Sequence, residues 1–210
     1  MQLVLASSSP RRQELLALLG LCFRIVPPHV LEQPAPGLSP IEQVRRFALE
    51  KARAVVDQQA DAWVLGSDTV IEFDGKLLGK PADLTDARIM LRRLAGRPHL
   101  VHTAVAVCHC ERRMDVVEVD TAHVYMKPDV DDLYEQYLAT EESLGKAGAY
   151  AIQGLGGDLV NRVEGDYTTV VGLPLKLVVR LLRSIGYAIP ALVEDVYERR
   201  PYANWSHFAL

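Results

Sequence analysis

Short apolar runs alternate with helical patterns from one end of this chain to the other, and no feature constrains its fold more. Residues 3–6, 23–26, 63–65, 101–107, 116–125 and 159–163 read as strands, the two longest as antiparallel neighbours. Residues 10–19, 82–94, 129–138 and 173–182 read as helices, with a further long helix opening at Ser39-Pro40. That alternation favours one α/β architecture over separate all-α and all-β domains. A chain of 210 residues buries roughly 70% of its unfolded surface, so it needs no disulfide or metal to hold its core. Residues 1–189 are expected to form one domain, and 190–210 a separate C-terminal tail.

Local chemistry sharpens several boundaries. Ser39 is placed to cap the long helix and Pro40 to occupy its first turn; the apolar stripe is Ile41, Val44, Ala48, Ala52 and Val55. Asp74-Gly75 between apolar runs signals a hairpin. Five prolines, at 27, 28, 34, 36 and 40, punctuate the preceding loop.

The charge balance, 23 basic against 27 acidic residues, argues against a nucleic-acid coat or a polybasic membrane patch. Three cysteines make a disulfide framework an unnatural reading. The N-terminus has no basic segment followed by a long apolar run. The apolar stretch 170–179 is broken by Gly172, Pro174 and Lys176, far short of the ~20 residues that a membrane span needs. A reduced, soluble, cytoplasmic protein is therefore expected, without nucleic-acid or membrane partners.

Five features break their own local rules. In Ser7-Ser8-Ser9-Pro10-Arg11-Arg12, Pro10 marks a helix start, so two cations sit at the positive end of the dipole; a bound anion would reverse that penalty. Gly66-Ser67-Asp68-Thr69 follows a buried strand and reads as a turn at the strand's end, where Asp68 suits a Mg²⁺ ligand, a general base or a backbone cap. Gly79-Lys80-Pro81 holds a lysine in a tight turn, with no evident protein counter-charge for it or for Arg12. Lys51 falls at the edge of the long helix's apolar stripe, between Phe47 and Val44, where it either snorkels or points into a cleft. The glycine-rich segment 145–157 surrounds one phenol, Tyr150, and one amide, Gln153, and reads as a flexible connection or a loop passing close to a ligand.

Other chemistries fail on spacing. Residues 75–80 are too short for a phosphate-binding P-loop, and Pro81 stands where Ser or Thr belongs. Cys108-His109-Cys110 lacks a second ligand pair and fits alternate strand positions better than zinc.

Taken in order, the five features resemble the Maf family of nucleoside triphosphate pyrophosphatases. Leu5-Ala6-Ser7-Ser8-Ser9-Pro10-Arg11-Arg12-Gln13-Glu14-Leu15-Leu16 is similar to the family's opening signature, and Val171-Gly172-Leu173-Pro174 matches near the end. The resemblance implies a mixed, twisted central sheet flanked by helices, with a nucleotide cleft between two lobes. It implies Mg²⁺-assisted hydrolysis between the α- and β-phosphates, with removal of non-standard nucleotides as one use, and a homodimer is expected. Ser7, Ser9, Arg11, Arg12, Lys51 and Lys80 would line the triphosphate site, with Asp68 as the catalytic carboxylate. Glu32 matches an acidic position that joins Asp68 at the metal, although Leu31 stands where many relatives carry a second acid. Arg11, Thr69 and Gln153 resemble the branch acting on dTTP and UTP rather than the one preferring 7-methyl-GTP. The other alternative is a nucleotide-binding regulator of cell division without significant turnover, for which the aromatic tail, with Tyr202, Trp205 and Phe208, is the supporting feature.

Overall fold

The computed structural model describes residues 1–130 and 132–208. Strand β1 (Gln2–Ala6) is apolar after its first residue, and every later position is buried. A strand with that composition belongs in the middle of a sheet covered on both faces. It pairs in parallel with the short β2 (Arg24–Ile25) on one side and with β3 (Ala62–Phe73) on the other. Antiparallel pairs extend the sheet through β5 (Pro98–His109), β6 (Met114–Met126) and β7 (Val160–Glu164). The result is a mixed seven-stranded sheet of order β2-β1-β3-β5-β6-β7, with β4 (Lys76–Leu78) also on β3. The β3–β4 hairpin turns at Asp74-Gly75, both with positive φ, as the sequence leads one to expect.

The two faces of the sheet carry separate apolar cores. Period-two alternation sends Val64, Gly66, Asp68 and Val70 of β3 to one face and Leu65, Ser67, Thr69 and Ile71 to the other. The first face is covered by α2 (Pro40–Val56) through Val44, Phe47, Ala48, Ala52 and Val55. The second packs against α1 (Pro10–Ala17), α3 (Leu84–Leu94), α4 (Leu133–Leu138), α5 (Tyr167–Val171) and α6 (Leu175–Ser184). Helix α2 opens with a full capping box between Ser39 and Glu42, a device worth about 1 kcal/mol.

Three expectations need correcting. Residues 66–69 are not a turn at a strand's end: β3 runs unbroken through them, because β5 pairs with it from Val64 to Glu72. Ile41 is exposed in the first turn of α2, and the buried stripe begins only at Gln43 and Val44. The fourth helix spans Leu133–Leu138 rather than 129–138, Asp131 lying outside the described residues.

Beyond residue 189, α7 (Val193–Arg199) contributes Val193 and Val196 to the larger core. Trp205 stacks on Tyr167 with ring centroids 5.0 Å apart, and Phe208 stacks on the same ring. Residues 209–210 of the expected tail lie outside the described residues. No helix among the described residues is long and apolar enough to cross a membrane.

Candidate active site

Strand β3 is flanked unequally on its second edge. Strand β1 accompanies it only as far as Gly66, opposite Ala6, and β4 takes over at Ile71. Residues 67–70 therefore have no strand neighbour on that edge among the described residues. Around this gap lies a cleft of about 470 Å³.

The cleft gathers residues from both faces of the sheet. Ser7 and Ser9 come from the turn after β1, and Arg11 and Arg12 from the first turn of α1. Asp68 and Thr69 come from β3, Lys51 from α2, and Glu32 from the proline-rich loop. Lys80 follows β4, and Gln153 ends the glycine-rich segment's approach. All ten residues singled out in the sequence thus line one cavity. The sequence reading passed over Lys146, which lines it too; its place inside the glycine-rich segment was the available signal.

Gly66 explains how Lys51 arrives. A Cβ there would lie 2.4 Å from the Ala48 carbonyl oxygen and 2.7 Å from the Ala52 nitrogen. The missing side chain lets α2 close onto β3, and Lys51, buried on the same helix face, reaches Asp68. Its Nζ donates to Asp68 Oδ1 at 2.5 Å and lies 2.6 Å from Glu32 Oε1. Burial pushes the Asp68 carboxyl above its ordinary range, outweighing the attraction of Lys51 and Arg12. Burial also raises Glu32, but its bond to Lys51 and the charges of Lys51, Lys80 and Arg12 prevail and hold it low. Two carboxylates of unlike basicity thus share one ammonium.

On the other face, Arg12 is held as a fixed fork. Its Nε donates to the Gly172 carbonyl at 2.8 Å and its Nη2 to Thr69 Oγ1 at 3.1 Å. Thr103 donates its single proton to the Thr169 carbonyl at 2.7 Å. In the 2.9 Å Thr69–Thr103 contact, Thr69 must therefore be the donor, which turns its lone pairs toward Arg12. Burial and the nearby Arg11 lower the Arg12 pKa, with Asp68 and Glu32 opposing. Its remaining nitrogen, Nη1, has no protein partner among the described residues; neither Arg11 nor Lys80 makes an ion pair there.

These contacts divide two substitutions that the sequence treats alike. Arg12→Ala strips the charged partner from a carbonyl and a hydroxyl and is expected to lower stability by roughly 1–3 kcal/mol. Lys80→Ala removes an unpaired cation and is expected to stay within about 0.5 kcal/mol of the parent. Thermal unfolding of the two apo variants checks this, and equal shifts would contradict the assigned role of the fork.

Tyr150, at the cleft wall, shares a 2.8 Å hydrogen bond with His99 Nε2. Burial lowers the His99 pKa to about 4. An unfolded chain takes up the imidazole proton near pH 6.5, so the fold binds fewer protons and loses stability on acidification from about 6.5 to 4. His99→Gln is expected to flatten that part of the stability-versus-pH curve; an unchanged slope would remove His99 as its source.

The donor set suits Mg²⁺. No three His, Cys, Asp or Glu residues among the described residues cluster as an all-protein metal cage. Asp68 and Glu32 are hard oxygen donors sharing one cationic partner, and Asp68 Oδ2 has no protein hydrogen bond among the described residues. One or two carboxylates completed by substrate phosphates and water is the usual arrangement for this ion.

A Maf family profile, described as Maf-like protein, matches residues 2–185. The chain belongs to the Maf family. It is 47% identical over 184 residues to the dTTP/UTP pyrophosphatase of Geobacter sp., covering 88% of this chain and 95% of that protein. It is 45% identical over 188 residues to the dTTP/UTP pyrophosphatase of Pelotomaculum thermopropionicum, covering 90% of this chain and 98% of that one. Among solved structures it is similar to the Ham1 protein of Staphylococcus aureus, with a TM-score of 0.43 and 13% identity, over 60% of this chain and 72% of that one. As a member of the Maf family, the chain has its serine-arginine opening, its buried aspartate and its glycine-rich segment in one cavity.

Proposed function

We propose that this Maf protein hydrolyses dTTP and UTP between the α- and β-phosphates, releasing a nucleoside monophosphate and pyrophosphate. The supporting observation is the charge of the cleft: Arg11, Arg12, Lys51, Lys80 and Lys146 face two carboxylates in a chain of net charge −4. A triphosphate supplies the missing negative charge. The names of the two relatives support the choice of bases.

Asp68, at the wall of the cleft, takes the proton of the water that attacks the α-phosphorus. Lys51 holds that carboxylate in place. The Arg12 fork and the unpaired Arg11 and Lys80 bind and orient the phosphates, and positioning with charge stabilisation provides most of the rate in such chemistry. Glu32 and Asp68 would hold Mg²⁺, which when bound would supply Lewis-acid neutralisation of the charge on the departing pyrophosphate. The same reading takes the enzyme as a cytoplasmic homodimer.

The test is a nucleotide panel with Mg²⁺, followed by pyrophosphate release. Thymine and uracil place an acceptor at C4 beside a donor at N3, which one amide at Gln153 matches in a bidentate pair. Comparable rates are expected for dTTP and UTP, a slower rate for CTP and poor use of 7-methyl-GTP. Gln153→Glu leaves no proton for the C4 oxygen and is expected to lower kcat/KM for dTTP and UTP by roughly tenfold or more. Orthophosphate as the product overturns the bond assignment, and a wild type preferring 7-methyl-GTP overturns the base assignment alone.

A further inference from the structure

The C-terminal segment lies outside residues 2–185, the part of the chain matched to the family. It nevertheless reaches the rim of the cleft. Asn204 Nδ2 donates to the carbonyl of Ile152 at 3.1 Å and to that of Gly154 at 2.9 Å. These two carbonyls flank Gln153, so one side-chain amide clamps the backbone on both sides of it. At the next two residues the Glu142 carboxylate accepts from the backbone nitrogens of Leu155 at 3.0 Å and Gly156 at 3.2 Å.

Two glycines of this segment exist for these braces. A Cβ on Gly157 would lie 2.4 Å from Asn204 Nδ2, and one on Gly154 would lie 2.4 Å from a Glu142 oxygen. The segment is therefore a loop gripped by two side chains rather than a flexible connection. Tyr202, two residues before Asn204, walls a second recess of about 370 Å³, which also has Arg11, Glu142, Lys146 and Gln153 on its walls. Trp205, the residue after Asn204, is buried against Tyr167 and Tyr197, which anchors the clamp to the core.

We infer that the C-terminal segment is a specificity element of the nucleotide site, with Asn204 the positioning residue that fixes Gln153 against the base. This rests on the reading of Gln153 as the base-recognising residue. Telling uracil from cytosine needs the Gln153 amide delivered to one position on the base edge, and a backbone free to shift would let that amide meet either base. Asn204 donates twice and carries no charge, and an aspartate of the same shape has no proton to donate.

The experiment compares wild type, Asn204→Ala, Asn204→Asp and Gln153→Ala by two readouts. Amide hydrogen exchange over residues 151–157 measures the clamp, and the ratio of kcat/KM for dTTP over CTP measures discrimination. In both Asn204 variants exchange is expected to accelerate and the dTTP:CTP ratio to fall by roughly tenfold, mainly through KM for dTTP. Asp behaving like wild type would show shape rather than donation at work and would overturn the clamp. Unchanged exchange in Asn204→Ala overturns it as well. Faster exchange with an unchanged ratio, while Gln153→Ala does shift the ratio, overturns the link from tail to specificity and leaves the Gln153 reading standing. A ratio unmoved by Gln153→Ala overturns that reading itself, and the tail's role in discrimination with it.

Discussion

Asn in place of Asp68 is expected to fold normally and to turn over dTTP at least roughly 10²-fold more slowly, the scale of a lost general base. Stability should hold or rise. Because burial raises the Asp68 pKa, the folded chain binds this proton more tightly than the unfolded chain. The group's contribution is then fully present below its unfolded pKa and is lost as pH rises through its folded pKa. At neutral pH the ionised carboxylate is thus a cost to the fold, and an amide of the same shape removes it. Lys51 keeps its contact with Glu32. Pyrophosphate release and thermal unfolding on the same preparation separate the outcomes. Full turnover in a folded variant removes Asp68 from the reaction, and a fall of several degrees in Tm makes it a structural residue instead.

Gly66→Ala is expected to damage both the fold and the chemistry. Its Cβ would strike the Ala48 carbonyl oxygen and the Ala52 nitrogen, both helix backbone, so no side chain can swing aside. Overpacking of this kind costs roughly 1–3 kcal/mol or more, which in a chain of this length lowers Tm by about 3–10 °C. Relief requires α2 to lift away from β3, and these two elements carry Lys51 and Asp68. A displacement of about 1 Å at such a pair can cost 10²-fold in rate. Thermal unfolding and dTTP turnover check the two parts. A variant with the parent's Tm would show that the close approach of helix and strand is not needed.

Both predictions turn on a pair of elements that the sequence describes separately. The apolar stripe of α2, the capping signal at Ser39 and the Asp74-Gly75 hairpin are legible because their causes are local: periodicity, a side chain reaching its own helix, a turn needing positive φ. The set of candidate residues was legible through resemblance, since the ordered motifs of the family are present in the chain. What those residues touch was not. A strand pairs wherever a partner is offered, so the run through residues 66–69 depends on β5, which lies some thirty or more positions away in sequence.

The same limit applies to the glycines. Gly66, Gly154 and Gly157 look alike in the sequence, where a glycine signals only permission for the backbone or a neighbour to come close. The structure supplies each neighbour: a helix backbone, the Glu142 carboxylate and the Asn204 amide. By itself, then, the sequence determined the α/β class, most of the elements and the membership of the cleft, because local periodicity and ordered motifs carry that information. Only the tertiary structure decided that Lys51 bridges two carboxylates, that Arg12 is held by Gly172 and Thr69, and that the C-terminal segment grips the loop bearing Gln153. Those contacts join residues from 17 to 160 positions apart, and close packing, rather than any local preference, selects them.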